Sequence, residues 1–121
     1  MSTGERDPID AVTLYYRRVD AKDVNGILDL FAVSATYRRP GYPALVGRDA
    51  LREFYLSQRV IKSGNHTVTH LVRDGADVAV RGTFVGTLND GSAASLEFAD
   101  FFRVEGGVFA ERTTYFFTAL V

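Results

Sequence analysis

Asp100 sits in the run Leu96-Glu97-Phe98-Ala99-Asp100-Phe101-Phe102-Arg103, next to one phenylalanine and two residues from two more. If this run is extended, Leu96, Phe98, Asp100 and Phe102 share one face and Glu97, Ala99, Phe101 and Arg103 the other. A carboxylate among bulky apolar side chains is costly when ionised and unpaired. It must therefore either take a raised pKa or find a cation, and both routes make Asp100 the most informative residue in the chain. The plain alternative is a structural ion pair with Arg112. In the last segment Ala110, Arg112, Thr114 and Phe116 share a face, with Glu111, Thr113, Tyr115 and Phe117 opposite. A hairpin across Gly106-Gly107 sets this segment beside Asp100, where Arg112 reaches either the carboxylate or an anionic ligand. His66 and His70 are four residues apart, about 13 Å along a strand, and no third ligand accompanies them. No metal site is expected, and each histidine reads as a partly exposed strand residue or, singly, an acid or base.

The elements that position these residues follow from periodicity. Asp7-Pro8 is an N-cap followed by proline at the first helical position. Ile9, Val12, Tyr15, Tyr16 and Val19 then recur at helical spacing, which predicts a helix over 8–20. Asp23 caps a second helix with Val24, Ile27, Leu28 and Phe31 on its inner face. Asp49 caps a third, where Leu51, Phe54 and Tyr55 form a stripe running towards Val60. Extended segments are expected over 34–39 and 44–46. Longer ones follow over 66–73, 77–88, 93–105 and 108–119, separated by Asp74-Gly75, Asn89-Asp90-Gly91 and Gly106-Gly107. The fold class is therefore α+β: three N-terminal helices packed in the concave face of a curved, mostly antiparallel sheet. Such a cone leaves an internal pocket suited to a small molecule.

The composition narrows the function. The 121 residues suit one domain, with 14 Lys+Arg against 15 Asp+Glu and a formal net charge of −1. Neither the balance nor the short Arg17-Arg18 and Arg38-Arg39 pairs make a nucleic-acid surface. Without cysteine the chain has no disulfide and no thiolate chemistry. No apolar run spans a membrane, and no phosphate loop, dinucleotide fingerprint or nucleophile elbow is present, so no cofactor is expected. Residues 1–7 are expected to be a disordered leader without a secretory core. That implies a cytoplasmic protein in which the Asn65-His66-Thr67 sequon is idle.

The element order and several motifs resemble the nuclear transport factor 2-like superfamily, above all its SnoaL-like proteins and ketosteroid isomerases. Asp23-Val24-Asn25-Gly26-Ile27-Leu28-Asp29-Leu30-Phe31 resembles the family's D-x-x-x-[IL]-x-x-L-F signature, followed by Ala35-Thr36-Tyr37 and Pro40. Gly47-Arg48-Asp49-Ala50-Leu51-Arg52-Glu53-Phe54-Tyr55 is similar to its G-x-x-A-[IL]-R-x-F-Y segment. Phe98-Ala99-Asp100-Phe101-Phe102-Arg103, with the Gly-Gly turn after it, is similar to its F-x-D-x-F-R-x-x-x-G pattern. The resemblance runs from Ile9 to Phe117 and implies one SnoaL-like domain over 1–121.

It also implies roles. Tyr15 falls where ketosteroid isomerases place the oxyanion-hole tyrosine, and Asp100 where they place a hydrogen-bond-donating carboxylic acid. Phe54 and Tyr55 fall on positions that line or flank the pocket, and Arg112 on an apolar pocket position. Arg39 stands where the isomerases keep their base, and arginine accepts no proton at physiological pH. Thr114 stands at one aspartate position of the related limonene epoxide hydrolases. SnoaL-like polyketide cyclases use a single aspartate as acid/base in an apolar cavity, a role open to Asp100.

The expected function is thus acid/base isomerisation, cyclisation or hydrolysis of a small, largely apolar, oxygenated substrate. Asp100 and Tyr15 would be catalytic; Arg39, Phe54, Tyr55, Phe98, Phe102, Arg112, Thr114 and Phe116 would bind substrate. The alternatives are a non-catalytic ligand-binding domain and a dimerisation module whose pocket its own side chains fill. Phe101, Tyr115 and Phe117 on the outer sheet face imply a homodimer through that face. Sedimentation at micromolar concentration should therefore give a dimer, and a monomer there would defeat this expectation.

Overall fold

The first helix begins as its residue types require. In the computed structural model, which describes residues 5–117, the Asp7 carboxylate accepts the Ile9 N–H at 2.9 Å and Pro8 fills the first helical position. Of the expected leader over residues 1–7, residues 1–4 lie outside the described residues, and Asp7 belongs to the helix cap. Helix α1 (Pro8–Asp20) buries Ala11, Val12, Tyr15, Tyr16 and Val19. Asp23 accepts the Gly26 N–H and caps α2 (Val24–Leu28). Phe31, expected on the inner face of this helix, instead opens strand β1 (Phe31–Arg38). Its fully buried ring packs on Phe109 and Tyr15. After β2 (Leu45–Val46), α3 (Arg48–Glu53) is capped by Gly47 at φ 88° rather than by Asp49, which lies in the first turn. The expected continuous helix towards Val60 changes pitch: Phe54–Gln58 forms a π-helical turn. Such turns are rare and concentrate at functional sites.

Four long strands follow: β3 (Ile61–Asp74), β4 (Asp77–Leu88), β5 (Ala93–Glu105) and β6 (Val108–Phe116). The first starts well before residue 66, because Gly64 and Gly86 pair across β3 and β4 and extend the ladder. The last expected strand was to run to residue 119; residues 118 and 119 lie outside the described residues. The sheet order is β2-β1-β6-β5-β4-β3. Strands β3 to β6 pair antiparallel in sequence, and β1 joins β6 parallel, so the curved sheet is mixed. Helix α1 packs against β3 and β4. No helix among the described residues is long and apolar enough to cross a membrane.

Two local features shape the interior. Pairing Glu105 with Val108 across the Gly-Gly turn would, continued without interruption, set Asp100 opposite Thr113. A β-bulge intervenes: Val104 pairs with Phe109 but Arg103 with Glu111, so Ala110 is the extra residue. Ala110 therefore does not continue the inward row of Arg112, Thr114 and Phe116. Fully buried Phe109 points inward in its stead, and beyond the bulge Thr114 stands opposite Asp100. The second feature is Gly82, which faces Phe98 across β4 and β5. A Cβ there would lie 2.4 Å from the Thr67 carbonyl oxygen and 2.8 Å from the Phe98 ring. Gly82→Ala is expected to destabilise the protein by roughly 1–3 kcal/mol, read as a lower urea midpoint.

Candidate active site

Asp100 is completely buried, and three donors converge on it. Arg112 Nη2 donates to Oδ2 at 2.9 Å. The Tyr16 hydroxyl donates to the same oxygen, and the Thr114 hydroxyl donates to Oδ1 from directly across the sheet. The chain of donors continues outward. Tyr37 Oη lies 3.0 Å from Thr114 Oγ1, and Arg39 Nη1 reaches Tyr37 Oη at 3.5 Å. The sequence alternative of an Asp100–Arg112 ion pair is realised. Arg39 faces the carboxylate only through Tyr37 and Thr114, and its guanidinium lies over the rings of Tyr42, Phe54 and Phe116.

Arg112 is held from both sides. Its guanidinium carbon lies 4.4 Å from the ring centroids of both Tyr15 and Tyr37. Burial opposes its charge, but Asp100 and the surrounding phenols outweigh burial and keep its pKa above the usual guanidinium value. Arg112 Nη1 donates to Tyr15 Oη and, at 3.3 Å, to Tyr55 Oη, and these two hydroxyls lie 2.6 Å apart. Burial pushes the Tyr15, Tyr16 and Tyr55 pKa values up, so all three phenols keep their protons at neutral pH. Two O–H protons then serve one Tyr15–Tyr55 contact, which leaves one to point elsewhere. Tyr15 is enclosed by the rings of Tyr16, Phe31, Phe102 and Phe109. Half-buried Tyr55 stands on the π-helical turn, and Tyr15 and Tyr55 both line the space in front of the pair.

That space is a cavity of about 20 Å³, enough for about one water. Its polar floor includes Tyr15, Tyr55, Asp100, Arg112 and Thr114, and its walls include Arg39, Phe98 and Phe116. Two expected binding residues stand behind it. Phe54 is fully buried against Tyr37, Tyr42 and Tyr55, and Phe102 against Tyr15, Tyr16 and Phe109. Residues absent from the sequence-based set also reach the site, among them Tyr37, which meets Thr114, and the apolar Ile61, Phe84 and Leu96 of the cavity wall. Tyr16 donates to Asp100; Arg59 and His66 line the cavity. For Tyr16 the available signal was its place on the buried helical stripe beside Tyr15. His66 is a partly exposed strand residue as expected, but its side chain is only 9% accessible and packs on Tyr16, Phe84 and Phe98. Its Nδ1 lies 2.6 Å from Asp20 Oδ1, at the end of α1. His70 stays exposed on the same strand. Among the described residues no group of three or more histidine or acidic side chains is placed to hold a metal.

Comparison with known proteins agrees with this fold. The family model described as a SnoaL-like domain matches residues 12–112. A comparison with curated proteins gives no match. Among solved structures, an NTF2-like protein of unknown function from Burkholderia pseudomallei superimposes with a TM-score of 0.81 at 20% identity, covering 90% of this chain and 89% of that one. SalBIII, an epoxide hydrolase/cyclase-like enzyme with a role in pyran ring formation in polyether salinomycin, gives 0.80 at 24% identity over 90% and 89%. A putative SnoaL-like polyketide cyclase from Jannaschia gives 0.81 at 12% identity over 97% and 90%.

The buried pair makes a stability prediction. Arg112→Met strands Asp100 without its counter-ion and is expected to cost about 3–5 kcal/mol. Adding Asp100→Leu should recover part of that loss, so that the double variant unfolds at higher urea than Arg112→Met alone. A double variant that unfolds at lower urea would show that the two side chains do not act as a pair.

Proposed function

The chain belongs to the SnoaL-like domain family, and from that premise we propose that it is an acid–base enzyme acting on a small, largely apolar substrate that carries a carbonyl, enol or epoxide oxygen. The observation that carries the reading is the donor chain that ends in the cavity. Arg112 donates to Tyr15, whose hydroxyl lies 2.6 Å from that of Tyr55; with Tyr15 as the donor of that contact, the Tyr55 O–H would be left to meet a ligand oxygen. Linked donors polarise one another, and a guanidinium at the head of the chain favours negative charge at its tail. Substrate oxygen would sit against Tyr55 and apolar carbon against Phe98, Leu96 and Phe116. The developing oxyanion would be stabilised through Tyr55 and Tyr15, the position from which the resemblance implied a donor. Asp100 in this reading keeps Arg112 charged and in place. The cyclase and the epoxide hydrolase/cyclase-like enzyme among the similar structures support an oxygenated small molecule as substrate. A homodimer belongs to the same reading, supported by Phe101, Tyr115 and Phe117, which are 51%, 56% and 84% exposed, and a cytoplasmic location is proposed with it.

One observation favours a second reading. Both Asp100 oxygens are engaged by donors of the protein itself, and the cavity holds about one water. A non-catalytic binding domain needs nothing more than this polar floor and an entry for its ligand.

A thermal-shift screen of phenols, ketones, epoxides and aromatic carboxylates against wild type and Tyr55→Phe separates the two. At 100 times the dissociation constant a ligand stabilises by about 2.7 kcal/mol. Enzyme chemistry predicts hits among neutral ketones, phenols or epoxides that Tyr55→Phe loses. Carboxylate hits that survive Tyr55→Phe would turn the assignment to an arginine-lined binding pocket.

A further inference from the structure

We propose that His66, held by Asp20, is the proton acceptor of this cavity. The proposal rests on the reading of the cavity as an enzyme site and supplies what that reading lacks, a base. Arg39 accepts no proton, and the Asp100 oxygens are taken up by Arg112, Tyr16 and Thr114.

The geometry is that of an oriented imidazole. Asp20 Oδ1 lies 2.6 Å from His66 Nδ1, and Asp20 Oδ2 accepts the His66 backbone N–H at 2.9 Å. Two bonds from one carboxylate fix both ring and main chain. A carboxylate only accepts, so the hydrogen sits on Nδ1 and Nε2 carries the lone pair. Among the described residues nothing donates to Nε2, and the ring lines the cavity that also contains Tyr55. Phe84 from β4 and Phe98 from β5 stack around the ring. The titratable groups near it are Asp20 and Tyr16 on α1, Arg59 ahead of β3 and Arg112 on β6. Burial lowers the His66 pKa, the Asp20 contact raises it, and burial prevails. The imidazole is therefore neutral at pH 7 and ready to accept.

The step it would perform is removal of a proton from carbon next to a carbonyl. The proton goes to Nε2, the C–H electron pair becomes the enolate double bond, and the carbonyl pair moves to the oxygen facing Tyr55. Where a carbon–carbon double bond is conjugated with the enolate, protonation at its far carbon moves that double bond and completes an isomerisation. Attack by the enolate carbon on a second carbonyl makes a ring bond, and the proton then goes to the new alkoxide.

The test needs no knowledge of the natural substrate. The probe 5-nitrobenzisoxazole gives up its C3 proton to a base; the C–H pair forms the nitrile, the N–O bond takes its electrons to oxygen, and the ring opens to a single coloured cyanophenolate. Wild type is expected to accelerate this elimination above free imidazole. The rate should fall as pH drops through the lowered His66 pKa. His66→Gln should lose about 10²-fold. Asp20→Asn removes the influence that raises the His66 pKa, so the acid limb should move to lower pH. Its ¹⁵N spectrum should also lose the fixed Nδ1–H tautomer seen in wild type. If His66→Gln fails to fold, the Asp20→Asn limb and spectrum decide. A folded His66→Gln at full rate, an acid limb unmoved by Asp20→Asn, or no acceleration by wild type would overturn the proposal. Elimination that depends on His66, with no oxygenated ligand retained by Tyr55, would uphold the base and reject the substrate reading.

Discussion

A carboxylate with no access to solvent and a guanidinium 2.9 Å away set the terms for everything around them. Neither charge is tolerable inside a protein alone, and attraction between them offsets desolvation only when the remaining donors and acceptors are also matched. Here Tyr16 and Thr114 supply the other bonds to Asp100, while Tyr15 and Tyr55 accept from Arg112. Within the pair, Arg112 Nε is buried without a hydrogen-bond partner among the described residues. The pair therefore recruits an aromatic shell whose hydroxyls all orient with respect to it. The direction of those hydroxyls is the site's chemical content.

Helix α1 connects the pair to the rest of the cavity. Tyr16 and Asp20 are four residues apart and share a helix face. One bonds Asp100 on β5 and the other His66 on β3. Tyr15 is turned by one residue towards Arg112 and Tyr55. A single helix thus positions three groups relative to one another, over strands that would otherwise hold them at sheet spacing. Groups on one rigid element are placed more accurately than groups on separate loops. The π-helical turn carrying Tyr55 is the less regular side of the arrangement.

Much of this was legible in the chain, and the parts that were not share a cause. Alternation over residues 96 to 103 identifies the buried face of β5 because nothing interrupts that strand. The cap at Asp7 and the stripe from Val12 to Val19 fix α1 by local signals alone. The bulge at Ala110 leaves no mark in residue type: alanine fits either face, and its neighbours alternate on both sides of it. The inward set of Arg112, Thr114 and Phe116 could be read, but the register that brings Thr114 opposite Asp100 could not. His66 was missed because its partner lies forty-six residues away on a helix, and strand position alone marks a histidine as neither buried nor paired. The helix-to-π transition at Phe54 has no proline or glycine in Phe54–Gln58 to announce it.

A cavity the size of one water divides the site into a fixed half and a yielding half. The polar floor cannot move without parting buried charges, so the place where an oxygen atom docks is set before any ligand arrives. Leu96, Phe98, Phe84 and Phe116 are bound to their surroundings by dispersion, which changes little when a ring swings from one contact to another. Whatever binds must displace those side chains, and only the fraction of molecules already open is competent to receive it. In the proposed reading recognition is split in two: the oxygen would be selected by fixed geometry, and the carbon skeleton by how readily the apolar wall gives way. Homologues that keep the floor and vary the wall would differ in the shape they admit while keeping a common chemistry.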